Sequence, residues 1–243
     1  MQRCAIYLMI FGWYALCPAL AALGQGVDVS ATIAVFAAKP SGDSSKEKAL
    51  ADADVVVWLS PLQTLGSRPV ASDHPPYRLT QKNKQFIPHL LIVPTGTNVE
   101  FPNADPFFHN VFSLFNGKRF DLGLYESGST RSVRFDREGA SYIFCNIHPE
   151  MGAVVLALST PFYGLSGSDG TVVIHGVPPG TYHLNVWSER AKPLRPEDFP
   201  REVQISTTTT NLGVIQMKAA DSARSNHKNK FGETYRDLPG KPY

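Results

Sequence analysis

Short apolar stretches separated by Gly, Pro, Asn and Ser recur along most of this chain, whereas the periodicity of amphipathic helices is nearly absent. Residues 27–35 alternate apolar and polar side chains, which predicts a strand with one buried face. Residues 55–59 are apolar throughout, which predicts a strand buried on both faces. The pattern therefore predicts an all-β protein built from sandwiches. Further strand-like stretches lie at residues 90–93, 98–101, 131–135, 141–145 and 153–158.

A different arrangement begins after Pro161. Asp169-Gly170 opens an apolar run, and Pro178-Pro179-Gly180 bends the chain into a second one, which predicts a strand, a tight turn and a strand. This segment resembles the carboxypeptidase regulatory-like β-sandwich, a non-catalytic domain with a transthyretin-like arrangement. Residues 27–61 resemble the opening strands of the same domain. The resemblance implies that strands from both sides of the middle segment share one sandwich.

Potential metal ligands are concentrated in the run Cys145-Asn146-Ile147-His148-Pro149-Glu150-Met151. A Cys that leaves a strand is followed by His three residues on and by Met six residues on, so one tight loop could fold three ligands around a point. His109, in a strand-like run, would add a second imidazole from a neighbouring strand. Two His and one Cys in a plane, with a weak axial Met, describe a blue copper site. Taken singly, each residue is more often structural, since a buried Cys commonly acts as a small hydrophobic side chain.

The segment around this motif resembles the cupredoxins, small Greek-key β-sandwich copper proteins that include plastocyanin, pseudoazurin and amicyanin. The Cys-x-x-His-x-x-Met spacing is most similar to amicyanin, and residues 86–161, about a third of the chain, are similar to cupredoxin-like proteins associated with methylamine utilisation. The resemblance implies that one copper ion per chain is bound by His109, Cys145, His148 and Met151. It also implies that Asn110, directly after the first ligand, ties the two ligand-bearing segments together by hydrogen bonds.

These patterns divide the chain into five parts. The cupredoxin domain is expected to be inserted in, or packed beside, the regulatory-like sandwich, because insertion is tolerated where the guest's termini lie close together at the surface. A cupredoxin with extensions packed on it at both ends is the alternative. The parts are a signal peptide at 1–21, the first part of the regulatory-like sandwich at 27–72, the cupredoxin domain at 78–160, the second part of the regulatory-like sandwich at 161–217, and a polar C-terminal tail at 218–243.

The two ends of the chain differ in character. Arg3 precedes an almost wholly apolar run that ends at Cys17, and an Ala-x-Ala pattern follows near Ala21. The run is too short for a comfortable bilayer crossing, so it predicts a cleaved signal peptide and no stable membrane span, with an uncleaved anchor as the alternative. We expect a periplasmic or otherwise exported protein. The polar tail is expected to lie on the surface, with Phe231, Tyr235 and Tyr243 as candidate anchors.

Charge and cysteine content narrow the function further. The chain holds 23 Lys and Arg against 21 Asp and Glu, a formal net charge of +2, so it has no basic field for nucleic acid. Two of the 3 Cys precede the predicted cleavage site, which leaves Cys145 without a disulfide partner. A lone thiol in an oxidising compartment is a liability unless a metal occupies it.

Together these residues predict an exported mononuclear type 1 copper protein that carries single electrons between redox partners. A protein that stores or delivers copper without redox cycling is the alternative. We predict no enzyme activity, because the additional His pairs of a multicopper oxidase and the second loop Cys of a binuclear copper centre are missing. A redox protein partner is expected to dock transiently near His148, which lies on a loop tip beside Pro106 and Pro149.

Overall fold

The computed structural model describes residues 26–36, 54–63, 75–114, 117–194, 202–220 and 229–233. This part of the chain is all-β, as predicted, and contains no helix. The strands are β1 (Val27–Phe36), β2 (Val55–Pro61), β3 (Tyr77–Arg78), β4 (Thr80–Lys82), β5 (Gln85–Ile87), β6 (Leu90–Pro94), β7 (Thr97–Pro102), β8 (His109–Ser113), β9 (Phe120–Tyr125), β10 (Thr130–Phe135), β11 (Gly139–Cys145), β12 (Gly152–Leu158), β13 (Tyr163–Leu165), β14 (Thr171–Val177), β15 (Gly180–Ser188), β16 (Ala191–Pro193), β17 (Glu202–Ile205) and β18 (Asn211–Ala219).

All the predicted copper ligands lie within the segment from β3 to β12, either on its strands or in the loop between β11 and β12. The strands of this segment form a sheet in the order β6-β12-β11-β8-β9, a second sheet in the order β10-β7-β3, and a β4–β5 hairpin. Alternate side chains point inward from both sheets, as the period of two dictates. The core they enclose includes Phe101, Phe135, Ile143, Cys145 and Val155, all fully buried.

The strands on either side of that segment pair with one another. One sheet has the order β14-β1-β18-β16, and another has the order β13-β2-β15-β17, so residues 27–61 and 163–219 share both sheets. Strand β1 is parallel to β18 and antiparallel to β14. These strands enclose a second core that includes Val29, Leu59, Ile174, Tyr182 and Met217. The likeness of this part to the regulatory-like domain, and the domain boundaries themselves, stay predictions.

A third, small cluster joins the two cores. Val56 of β2 is buried together with Leu156 and Leu158 of β12. The two sets of strands therefore bury apolar side chains against each other, which stabilises their contact. His89 adds a polar contact there. Its Nδ1 lies 3.0 Å from the carbonyl oxygen of Gly152, and its Nε2 lies 2.6 Å from the Glu189 carboxylate.

Some expectations lie outside the described residues. The signal peptide at 1–21 and the anchors Tyr235 and Tyr243 are not among the residues described. Strand β3, which lies before the first strand-like stretch expected in the middle segment, is parallel to β7. Among the described residues, no helix is long and apolar enough to cross a membrane.

Candidate metal centre

Strand pairing brings the predicted ligands together. Strand β8 begins at His109 and β11 ends at Cys145, and the two strands are antiparallel neighbours in which Cys145 lies opposite Val111. The loop after β11 then turns back on itself. The Met151 N–H donates to the carbonyl oxygen of His148 at 3.1 Å, and the Cys145 N–H donates to the carbonyl oxygen of Met151 at 3.2 Å. Backbone hydrogen bonds within the loop therefore hold it closed without a metal ion.

Three ligand atoms meet at one buried point. The sulphur of Cys145 lies 3.6 Å from Nδ1 of His109 and 3.6 Å from Nδ1 of His148, and all three atoms lie within 4.8 Å of one another. His109 and Cys145 are 0% exposed, and His148 is 7% exposed. A single thiol proton could be donated to only one of these two nitrogens. Both nitrogens nevertheless face the same sulphur, which is what a shared cation requires.

The separations fit a metal ion. An ion about 2.0 Å from imidazole nitrogen and about 2.3 Å from thiolate sulphur, with about 110–120° between the bonds, would separate sulphur from nitrogen by about 3.5–3.7 Å. The observed sulphur-to-nitrogen distances of 3.6 Å agree with this range. Two imidazoles and one thiolate suit copper in both of its common oxidation states. The donor set therefore fits the ion predicted from the sequence.

Met151 lies at the end of the same loop. Its side chain is fully buried and belongs to the same core as Cys145. Its backbone carbonyl oxygen accepts the Cys145 N–H, so the end of the loop is attached to the residue that carries the sulphur. Its role as a weak axial ligand stays a prediction.

Asp105 belongs to the candidate site and was not predicted from the sequence. Nε2 of His109 donates to Oδ2 of Asp105 at 2.9 Å, and Asp105 is 3% exposed. The carboxylate also accepts the backbone N–H groups of Asn83 and Lys84, at 2.6 and 3.0 Å. This contact places the His109 proton on Nε2 and turns the Nδ1 lone pair toward Cys145. An acidic residue four positions before the ligand was the available signal.

The surroundings of the sulphur favour a bound cation. Burial raises the pKa of the Cys145 thiol above its ordinary value, although backbone N–H groups of Asn110, Ile147 and His148 point at the sulphur and act in the opposite direction. The backbone N–H groups alone do not offset the cost of burying a thiolate here, so the ionised form requires a nearby positive charge. Burial also lowers the pKa of His148, and the neighbouring His109 lowers it further, so the neutral imidazole that a metal requires is favoured.

The aromatic ring of Phe107 lies against both imidazoles. The ring of Phe107 lies 5.3 Å from that of His109 and 5.5 Å from that of His148. Phe108, which directly precedes His109, is 52% exposed. His148 was expected to be the ligand nearest the surface, and it is the most exposed of the four, although at 7% it is still buried.

Asn110 was expected to tie the two ligand-bearing segments together by hydrogen bonds. Its backbone carbonyl accepts the Asn146 N–H at 2.9 Å, and its backbone N–H points at the Cys145 sulphur. Its side chain instead donates to Asp121 of β9 at 2.8 Å. The backbone of Asn110 therefore makes the direct tie to the Cys145 segment, and its side chain contacts the strand on the other side.

Solved structures that resemble this chain include cupredoxins, but the similarity is partial. A purple cupredoxin from Nitrosopumilus maritimus is 24% identical and covers 34% of this chain and 99% of its own, with a TM-score of 0.31. An amicyanin variant is 19% identical and covers 34% of this chain and 82% of its own, with a TM-score of 0.32. A copper-containing nitrite reductase from Thermus scotoductus is 23% identical and covers 42% of this chain but 26% of its own, with a TM-score of 0.34. No protein-family model and no curated protein matches the sequence.

Proposed function

We propose that this protein is an exported mononuclear type 1 copper protein of the cupredoxin kind, which carries single electrons between redox partners. One observation carries the proposal: the sulphur of Cys145 lies 3.6 Å from a nitrogen of His109 and from a nitrogen of His148, all of them buried. The bound copper would supply one-electron oxidation and reduction at neutral pH.

The chain itself would keep the ligands in place while the electron is gained or lost. Asp105 fixes the tautomer and orientation of His109 through its 2.9 Å hydrogen bond. Strand pairing between β8 and β11 fixes the separation of His109 from Cys145. Backbone N–H groups aimed at the sulphur stabilise its negative charge without moving. Because these elements belong to the sandwich, a change of oxidation state requires little rearrangement.

Burial of the ligands favours electron transfer over copper delivery. A protein that hands its metal to another must expose ligands to exchange, whereas His109, Cys145 and Met151 are 0% exposed. Electrons, unlike ions, need only a short path to the surface. His148 supplies that path, since it is the ligand nearest to solvent and is followed by the exposed Pro149.

A redox protein partner would dock transiently beside His148. Pro106, Phe108 and Pro149 are all exposed, and they come from the loop that precedes His109 and the loop that carries His148. Exposed apolar side chains of this kind form surfaces that bind a partner briefly. Lys84 lies over the Phe107 ring at 5.6 Å, so a cation borders the same surface.

We also propose that the flanking strands form a separate, regulatory-like sandwich into which the copper domain is inserted. The topology supports this, because β1 and β2 pair with strands that follow residue 161 and not with those at 77–158. Each set of strands encloses its own core.

Addition of Cu(II) to the purified protein tests the proposal. We expect one copper per chain, an intense visible band from charge transfer between the Cys145 thiolate and copper, and reversible one-electron reduction. Cys145→Ser should abolish the band. Ser132→Ala, in strand β10 of the same domain and outside the ligand set, should keep it. A colourless copper adduct of the wild type, or a band that survives in Cys145→Ser, would contradict the assignment.

A further inference from the structure

We propose that Lys230, in the C-terminal tail, is a positioning residue of the metal centre, because it closes a ring of hydrogen bonds around the segments that carry His109 and Cys145. The inference rests on the proposed function only for the identity of the ion. The contacts themselves concern the protein without metal.

The ring begins with the residues that directly follow two of the ligands. Asn110 follows His109, and Asn146 follows Cys145. The Asn146 N–H donates to the carbonyl oxygen of Asn110 at 2.9 Å. This first bond continues the pairing of β8 with β11 one residue beyond the ladder. Any movement of Asn110 against Asn146 therefore changes the distance between the two ligands.

Lys230 supplies two of the other three bonds. Its backbone N–H donates to Oδ1 of Asn146 at 2.9 Å, and its Nζ donates to Oδ2 of Asp121 at 2.8 Å. Nδ2 of Asn110 donates to Oδ1 of Asp121 at 2.8 Å, which completes the ring. Without Lys230, the Asn146 side chain and the Asp121 carboxylate would lose the group that connects them.

The tail segment is folded locally so that it presents Lys230. Oδ1 of Asn229 accepts the N–H groups of Phe231 and Glu233, both at 2.9 Å, and the Gly232 N–H donates to the carbonyl oxygen of Asn229 at 2.9 Å. Gly232 has a φ of 81°, a left-handed conformation that favours glycine. Phe231 was a candidate anchor of the tail, but it is 73% exposed. The polar contacts of Lys230 attach this segment instead.

The charge of Asp121 suits its place in the ring. Burial acts to raise the pKa of Asp121, but hydrogen bonds from Lys230, Asn110 and Gly123 outweigh it and hold the pKa below its usual value. The carboxylate is therefore ionised at neutral pH and accepts from Lys230 and Asn110 at once. A charged acceptor strengthens both bonds.

The ring also bears on the ligand sulphur itself. The backbone N–H of Asn110 points at the Cys145 sulphur. If Lys230 is lost, Asn110 is held by Asp121 alone on that side, and its N–H is freer to move away from the sulphur. Because hydrogen bonds to a ligating sulphur tune the metal, such movement changes both the reactivity of the free thiol and the properties of the bound copper.

Lys230→Met tests this. The substitution removes the ammonium group but keeps a side chain of similar length and the backbone N–H. Lys118→Met is the matched control, because Lys118 also bonds an aspartate of the same domain, Asp136, at 3.1 Å, with similar exposure of the lysine side chain (29% against 25%). Lys230→Arg should restore the contact. Cys145 is 0% exposed, so in metal-free protein a thiol reagent reaches it only when the site opens locally. Because loss of the Lys230 contact makes this opening easier, we expect Lys230→Met to react at Cys145 about threefold faster than wild type. In the copper-loaded protein, its visible band and reduction potential should shift.

The outcomes separate the possibilities. Faster Cys145 modification in Lys230→Met alone, reversed in Lys230→Arg, supports the positioning role. Equal rates in Lys230→Met and wild type overturn it, and so does equal acceleration in Lys118→Met, which would indicate general loosening. Failure of the wild type to bind copper overturns the proposed function but leaves the thiol comparison decisive for the ring.

Discussion

The imidazole of His109 is fixed from behind by the carboxylate of Asp105, whose Oδ2 lies 2.9 Å from Nε2, with both side chains buried. An imidazole held in this way is oriented by the protein itself, without a metal ion. The carboxylate is itself held by the backbone N–H groups of Asn83 and Lys84 in the turn between β4 and β5. The geometry at His109 therefore depends on a hairpin that contributes no ligand.

Replacement of Asp105 by Asn tests this dependence. The amide keeps the shape of the side chain but removes its charge and one of its acceptor oxygens, so His109 is held less firmly and is a weaker base toward the metal. We expect copper affinity, measured by competition with a chelator, to fall by about 10- to 100-fold. Asp136→Asn, which changes an exposed carboxylate of the same domain, is the control. Equal affinities in the two variants would show that Asp105 does not support the site.

The junction of the two sandwiches makes a second prediction. The ring nitrogens of His89 face the Gly152 carbonyl oxygen and the Glu189 carboxylate, so this one side chain links β12 to the segment after β15. The pair is partly exposed, with side-chain exposures of 37% and 25%. We expect His89→Gln to lower the free energy of unfolding in urea by about 1 kcal/mol.

His175→Gln is the control for that measurement. His175 also pairs with a carboxylate, that of Asp28, but their side chains are 77% and 62% exposed. An ion pair so exposed contributes little. If the two substitutions cost the same, the His89 contact does not stabilise the junction.

The sequence predicted the parts of this protein that depend on local spacing, and it missed those that depend on the final fold. Alternating and apolar stretches predicted strands such as β7 and β12, because a half-buried or buried strand imposes its pattern directly on the residues. Cys145 and His148 are close because only two loop residues lie between them. Asp105 was missed because a turn, not a periodic element, directs its carboxylate to His109.

Long-range contacts were harder still. Lys230 contacts Asn146 and Asp121 across 84 and 109 residues of chain, and nothing in a polar tail predicts which lysine is used. A shared sandwich for the strands on both sides of the middle segment was expected only through a family resemblance. The parallel pairing of β1 with β18 was not predicted, since periodicity says that a strand exists but not which strand lies beside it.

Acidification provides a third prediction, through Asp121. The bonds from Lys230, Asn110 and Gly123 outweigh the effect of burial and lower its pKa, so its ionised form is favoured by folding. A carboxylate with a lowered pKa stabilises the fold fully above its unfolded-state pKa of about 3.9, and this contribution is lost as the pH falls through the folded-state pKa. The stability difference between wild type and Asp121→Asn should therefore be largest near neutral pH and shrink below about pH 4. A difference that stays constant from pH 7 to pH 3 would show that the charge of Asp121 is not stabilising.

Metal binding itself should stabilise the fold, and this last prediction does not depend on colour or on a redox partner. An ion that binds the folded chain and not the unfolded one raises stability by an amount that grows with its concentration over the dissociation constant, about 2.7 kcal/mol at a hundredfold excess. The buried site of Cys145, His109 and His148 exists only in the folded sandwich, since its ligands come from two strands and a loop. Thermal unfolding of wild type should therefore shift to higher temperature with added Cu(II) and return when a chelator removes the ion. Cys145→Ser should show a much smaller shift, because the thiolate is the one anionic ligand of the set. A shift of equal size in Cys145→Ser would place the stabilising ion elsewhere on the protein.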